Sequence, residues 1–183
     1  MPPEPHLHVV FALAGVLAAI ATAYDLKTGQ IPNWLTYPVL LLGPVLHVAR
    51  FARTEGLGEE ALTEGAFSLM GSVVCAIVPA LLYRQGAIGG GDLKLLAAVG
   101  SLLQVTMGVE AQMYAFFAGT LVAPARLAYE GKLLGTLKNT VTLATNTFLP
   151  KEKRKPIDQG LFSSFRLGPA VLFGVMLVAY LHW

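Results

Sequence analysis

Two aspartates stand where a polar stretch meets a long apolar run: Asp25 in YDLKTGQIPNWLT and Asp92 in GAIGGGDLKLLAAVG. A carboxylate at or inside a membrane boundary is costly to ionise, which makes each a candidate functional group. Brought together, two carboxylates share one proton, because mutual repulsion keeps one of them neutral. Such a pair can hydrolyse a peptide bond: the ionised member takes a proton from the attacking water and the neutral one polarises the scissile carbonyl. The pair titrates as a unit, so neither role belongs to one residue.

The residues around Asp92 add to this. The run Gly89-Gly90-Gly91 lacks Cβ atoms, so its backbone can take positive φ angles and lie beside an extended substrate. The plainer reading is a turn into a helix, with Asp92 near an N-terminus whose dipole favours an acid. Lys94 lies two positions on, about 200° round a helix, and need not touch the acid. It could assist the dyad or bind substrate, or carry its ammonium out to the headgroups. Tyr24 and Trp34 fit an interfacial aromatic belt. Pro32 and Asn33 read as a stiff turn with Asn33 as the N-cap of the next helix.

The elements that must position these groups are membrane helices. Hydrophobic residues make up 55% of the 183 positions and charged ones 13%, against about 25% charged in a soluble domain. Six apolar stretches can be marked, near 7–24, 34–51, 65–83, 93–107, 109–129 and 167–183. They are apolar all round and too long for barrel strands, so the expected fold is all-α, a polytopic membrane bundle of about six helices in one domain over 1–183. The fourth stretch is short for a full span and reads as buried in the bundle. Only Gly108 separates it from the fifth, so the two also read as one broken helix. Gly15, Ala19 and Ala23 in the first stretch, and Ala97, Gly100 and Ser101 in the fourth, suit close packing between helices. Pro38, Pro44, Pro79 and Pro124 should bend their helices locally.

Charge orients the bundle. All lysines and arginines except Arg50 and Arg53 fall in the first, third and fifth loops. The positive-inside rule puts those loops in the cytoplasm and both termini outside. Asp25 and Asp92 thereby reach the same face. The Ala21-Thr22-Ala23 sequence resembles a signal-peptide cleavage site, but the preceding MPPEPHLH has no Lys or Arg and the run is read as a retained span. A cytoplasmic loop over 130–165 holds an apolar stripe (Leu133, Leu137, Val141, Ala144, Phe148) consistent with an interfacial helix, and KEKRK at 151–155 suits anionic headgroups. The single Cys75 and four scattered histidines give no metal-ligand spacing, no cofactor is expected, and the net charge of +2 does not suggest nucleic acid. The partners expected are the lipid bilayer and a peptide substrate.

GGGDLKLLAAVG resembles the GxGD signature of the type IV prepilin peptidases, with Gly89, Gly91, Asp92 and Lys94 at its positions. Asp25 followed by Ile31-Pro32-Asn33 is similar to that family's first aspartate motif, and FRLGPAVLFG to its closing glycine-proline segment ahead of the last span. The resemblance implies an aspartic endopeptidase of the bacterial inner membrane. It would use Asp25 and Asp92 to cut a short basic leader from a prepilin, just before the pilin's apolar N-terminal helix. The N-terminal region that full-length members carry, with paired cysteines, is not seen, so the chain resembles the short form of Flp- or Tad-type pili, and methyltransferase activity is not expected. The alternative from a different class is a proton-coupled transporter or channel subunit with the two aspartates as relay groups.

Overall fold

A computed structural model describes residues 5–129, 135 and 166–182. Apart from Gly135, the interfacial helix expected within 130–165 and the basic cluster at 151–155 lie outside the described residues. The chain divides into two compact units, one of residues 1–118 and 166–183 and the other of residues 119–165. The described part of the second is essentially the end of a helix, 119–129.

The described residues are all-helical: α1 (Pro5–Thr28), α2 (Asn33–Glu55), α3 (Glu59–Arg84), α4 (Gly90–Tyr129) and α5 (Gly168–Leu181). The first three, and α4 taken over both its arms, are long and apolar enough to cross a bilayer, α5 being a shorter apolar helix, and this is the architecture of a multi-pass membrane protein. Helix α1 runs unbroken through Ala21-Thr22-Ala23. Its buried positions, Val10, Phe11, Ala14, Leu17, Ala18, Ala21, Thr22 and Asp25, follow the helical repeat, so Asp25 continues the stripe that faces the protein. That stripe packs on α5, antiparallel: Gly15 lies against Met176, and Thr22 and Asp25 lie against Gly168. Of the three small residues expected to pack, Gly15 meets α5, whereas Ala19 and Ala23 are exposed.

Helices α2 and α3 form a hairpin joined through Gly56, whose φ of 87° is a conformation that glycine adopts without strain. Pro38, Pro44 and Pro79 lie inside these two helices. The pair encloses the first arm of α4. Helix α4 contains one non-helical residue, Gln104, at φ 59° and ψ −168°. The break falls there rather than at Gly108. Gly108 has come round beside Gly100: a Cβ on it would lie 3.0 Å from the Gly100 Cα. Eight residues of one straight helix would span about 12 Å, so the chain reverses at Gln104.

The first arm, residues 90–103, is about 21 Å long by helical rise and is short of a bilayer core of about 30 Å. Residues 95–103 are all buried, which makes this arm the central rod of the bundle, as its length suggested. It runs parallel to α2, with Lys94 at Asn33 and Ser101 at Leu40, and antiparallel to α3, with Gly90 near Tyr83 and Gly100 near Gly71. The second arm lies along α5, where Gly174 fits against Ala111 and Ala115 and His182 meets Glu110 at 2.8 Å.

One of the tight backbone crossings is at Gly71, where a Cβ would meet the Gly100 carbonyl oxygen and lie 2.6 Å from the Gln104 carbonyl carbon and 2.8 Å from its Cα. Backbone cannot yield as a flexible side chain does. Gly71→Ala is expected to destabilise the bundle by about 1–3 kcal/mol. Gly58→Ala, which meets open space, should change little. Thermal unfolding midpoints in detergent check this, and equal midpoints for the two variants would contradict the crossing.

Candidate active site

The end of α1 is closed by a local network. Gly29, at φ 69°, donates its N–H to the Asp25 carbonyl at 2.9 Å, a left-handed C-terminal stop. The Thr28 hydroxyl donates to the Tyr24 carbonyl at 2.9 Å and accepts the Gln30 N–H at 3.2 Å. Pro32, in extended conformation, then precedes α2, which starts at Asn33. The N-cap is therefore Pro32 and not Asn33, because the Pro32 backbone is already extended at ψ 144°. The Asn33 side chain is turned to α4 instead. Tyr24 and Trp34 pack edge to face, with ring centroids 5.8 Å apart, tying the ends of α1 and α2 together.

Asp25 and Asp92 line one cavity of about 580 Å³, along with Tyr24, Gln30, Ile31 and Gly89-Gly90-Gly91. Both residues are buried, at 5% and 7% exposure, so each carboxylate needs protein donors. Asp92 is the third residue of α4 and its Oδ2 accepts the Gly89 N–H at 3.1 Å, half of a capping box. Asp25 Oδ2 accepts the Gly168 N–H at 3.0 Å, from the first residue of α5. Among the described residues neither Oδ1 has a hydrogen-bond partner.

The glycines earn their places differently from expectation. None of Gly89, Gly90 and Gly91 has a positive φ; the left-handed residue of this loop is Gly86, at φ 74°. What Gly91 supplies is close approach, since a Cβ there would lie 3.1 Å from the Ile31 Cβ and 3.2 Å from its backbone nitrogen. It thereby seats the loop carrying Asp92 against the turn that follows Asp25. Lys94 is directed to α2: its ammonium donates to Asn33 Oδ1 at 2.8 Å and lies 5.1 Å from the centre of the Tyr37 ring.

Residue reading alone left the part played by the last helix open. Gly168 meets Asp25 through its backbone, and the Arg166 guanidinium donates to the Leu26 carbonyl. The signal was the Gly168-Pro169 pair, which opens α5 with proline in its first turn. A backbone contact to a residue 143 positions away leaves no trace in local spacing.

The fold and this pair of acids define a membrane protein with an aspartate-lined site at one end of its helices. The chain belongs to the type IV leader peptidase family, whose family model matches residues 11–123. It is 30% identical over 115 residues to the prepilin leader peptidase/N-methyltransferase of Vibrio cholerae serotype O1, a match covering 62% of this chain and 43% of that protein. It is 36% identical over 105 residues to the prepilin peptidase EppA of Methanothermobacter thermautotrophicus, covering 53% of this chain and 25% of that protein. The matched stretch thus spans less than half the length of either relative. No solved structure matches the chain significantly.

A Cβ at position 168 would lie 2.9 Å from Asp25 Oδ2 and 3.1 Å from the Thr22 Cα. Gly168→Ala should destabilise the protein, and part of that loss should vanish when Asp25→Ala is added. A double-mutant cycle on unfolding midpoints is expected to show coupling of at least about 0.5 kcal/mol; simple additivity would mean that the carboxylate does not rest on this backbone.

Proposed function

We propose that the protein is an aspartic endopeptidase that removes the leader peptide from type IV prepilin-like precursors. The observation that carries this reading is the single cavity lined by Asp25 and Asp92. Each acid is held through Oδ2, which leaves Oδ1 of each for the proton, the water and the scissile carbonyl. Water enters between the carboxylates, the ionised one accepts its proton, and the neutral one donates to the carbonyl oxygen. The water oxygen adds to the carbonyl carbon. As the C–N bond breaks, the acid that took the water's proton gives it to the leaving amine, while the other recovers its proton from a hydroxyl of the tetrahedral diol, which resets the pair with one proton. Gly89, Gly90 and Gly91 give the cavity a wall without side chains, beside which an extended substrate backbone fits. Lys94, held by Asn33 at the edge of that wall, is placed to meet the substrate flank or the headgroups.

The family membership supports a leader-peptide substrate. The charge distribution supports both termini outside, so that cutting takes place at the cytoplasmic face of a bacterial inner membrane. The substrate is a precursor whose apolar N-terminal helix stays in the bilayer while the peptide bond ahead of it enters the cavity, with a Flp- or Tad-type pilin as the expected form.

Co-expression with a candidate prepilin, followed on a gel, tests the assignment. Asp25→Asn and Asp92→Asn should each lower leader removal by about a thousandfold or more, and cleavage retained by either variant would sink the dyad. Orientation is checked separately. A cysteine at Gln30 should react with a membrane-impermeant maleimide only in inverted vesicles and one at Leu57 only in intact cells, and the reverse pattern would turn the bundle over.

A further inference from the structure

The two aspartates stand on different groups of helices. Asp25 ends α1, which packs on α5, and α5 in turn receives the second arm of α4 at Gly174 and His182. Asp92 opens the first arm of α4, which is bonded to α2 and α3 along its length. Lys94 meets Asn33, and the Ser101 carbonyl accepts the Ser68 hydroxyl at 2.5 Å. Within α4 the chain passes from one group to the other at Gln104.

Gln104 is the only non-glycine among the described residues with a positive φ. At φ 59° and ψ −168° it occupies a region otherwise confined to glycine. Such a conformation persists only where its surroundings over-determine it. Here they do so through the side-chain amide. Gln104 Nε2 donates to Glu64 Oε2 at 2.8 Å and approaches His47 Nδ1 at 3.3 Å. His47 Nε2 lies 2.8 Å from the Leu102 carbonyl, which can only accept, so the network assigns the proton to Nε2 and leaves Nδ1 as the acceptor for Gln104. Arg50 Nη2 stands 3.8 Å from the same Glu64 oxygen. Both amide hydrogens are thereby satisfied by α2 and α3, and both imidazole nitrogens by Leu102 and Gln104 of α4, at the point where α4 turns back.

We infer that Gln104, clasped by Glu64 and His47, is the positioning joint of the catalytic pair: it fixes the angle between the two arms of α4 and so the placement of Asp92 relative to Asp25. It lies twelve residues, about 18 Å of helix, from Asp92 and touches neither acid. A small rotation at the joint is carried by the rigid first arm to its other end. The inference rests on the peptidase reading for its functional consequence, while its geometric content stands apart from it.

Gln104→Gly separates the backbone from the clasp, since glycine accepts the unusual φ but has no amide to donate. The expected result is an unfolding midpoint and KM near those of the parent protein, with kcat lower by about tenfold to a hundredfold, the loss that a misplacement of about 1 Å produces. Glu64→Gln keeps an oxygen acceptor for the amide and should retain kcat, whereas Glu64→Ala should lose it. Spin labels on Gln30→Cys and Ala87→Cys, beside the two acids, should show a broadened distance distribution when Gln104→Gly is added. Parental kcat and an unaltered distribution in Gln104→Gly, or equal kcat in the two Glu64 variants, would overturn the inference. If the parent protein cuts no prepilin, the peptidase reading fails, and the label distances still decide whether Gln104 is the joint.

Discussion

A carboxylate buried at the end of an apolar bundle has few sources of compensation, and the arrangement of this protein follows from where those sources lie. The first N–H groups of a helix have no partner within it and carry the positive end of its dipole. Asp25 and Asp92 each draw on such a start, Asp25 from Gly168 at the head of α5 and Asp92 from Gly89 just ahead of α4. Two acids in one cavity therefore require two helices to begin at the same end of the bundle. That requirement sets the antiparallel course of α1 and α5 and the direction in which the central arm of α4 enters. It also joins residues 168–181 to a site whose other parts lie within the first 92 positions.

Delivering a backbone N–H to a side chain that closely leaves no room for a Cβ. Gly168 is confined by Asp25 and Thr22, Gly91 by Ile31, and deeper in the bundle Gly71 by the backbone of Gln104. In a bilayer, where no hydrophobic force presses helices together, contacts of this closeness supply the attraction. The same glycines thus hold the bundle and form the site.

Much of this was legible in the residues. The apolar runs marked the helices, and the fourth was recognised as short and buried because 14 or so residues cannot cross a bilayer. The two acids could be named from their setting at the edges of apolar runs. Less legible was anything carried by backbone geometry. The reversal falls at Gln104, not at Gly108, because a clasp from Glu64 and His47 holds a glutamine where a glycine would be expected, and no local preference signals that. Asn33 looked like an N-cap because its type favours that role, yet Pro32 is already extended there, and the Asn33 amide instead takes the Lys94 ammonium. The Gly89-Gly90-Gly91 run pointed to positive φ and to a place beside substrate; none of the three has a positive φ, and Gly91 lies close against Ile31 of the same chain, a use that calls for the same residue.

The hydrogen bond at Asp92 also bears on the plainer view of that residue as a helix cap. Its Oδ2 does cap α4, accepting the Gly89 N–H as an acid at the third position commonly does. A cap, however, needs only one oxygen and gives no reason for a second carboxylate in the same cavity. Asp25 shows the same division, with Oδ2 held by a helix start and Oδ1 without a protein partner among the described residues. Two free oxygens on two fixed acids are what a shared proton requires. In this protein, capping is the means by which each acid is held still, and it leaves the other oxygen without a protein partner among the described residues.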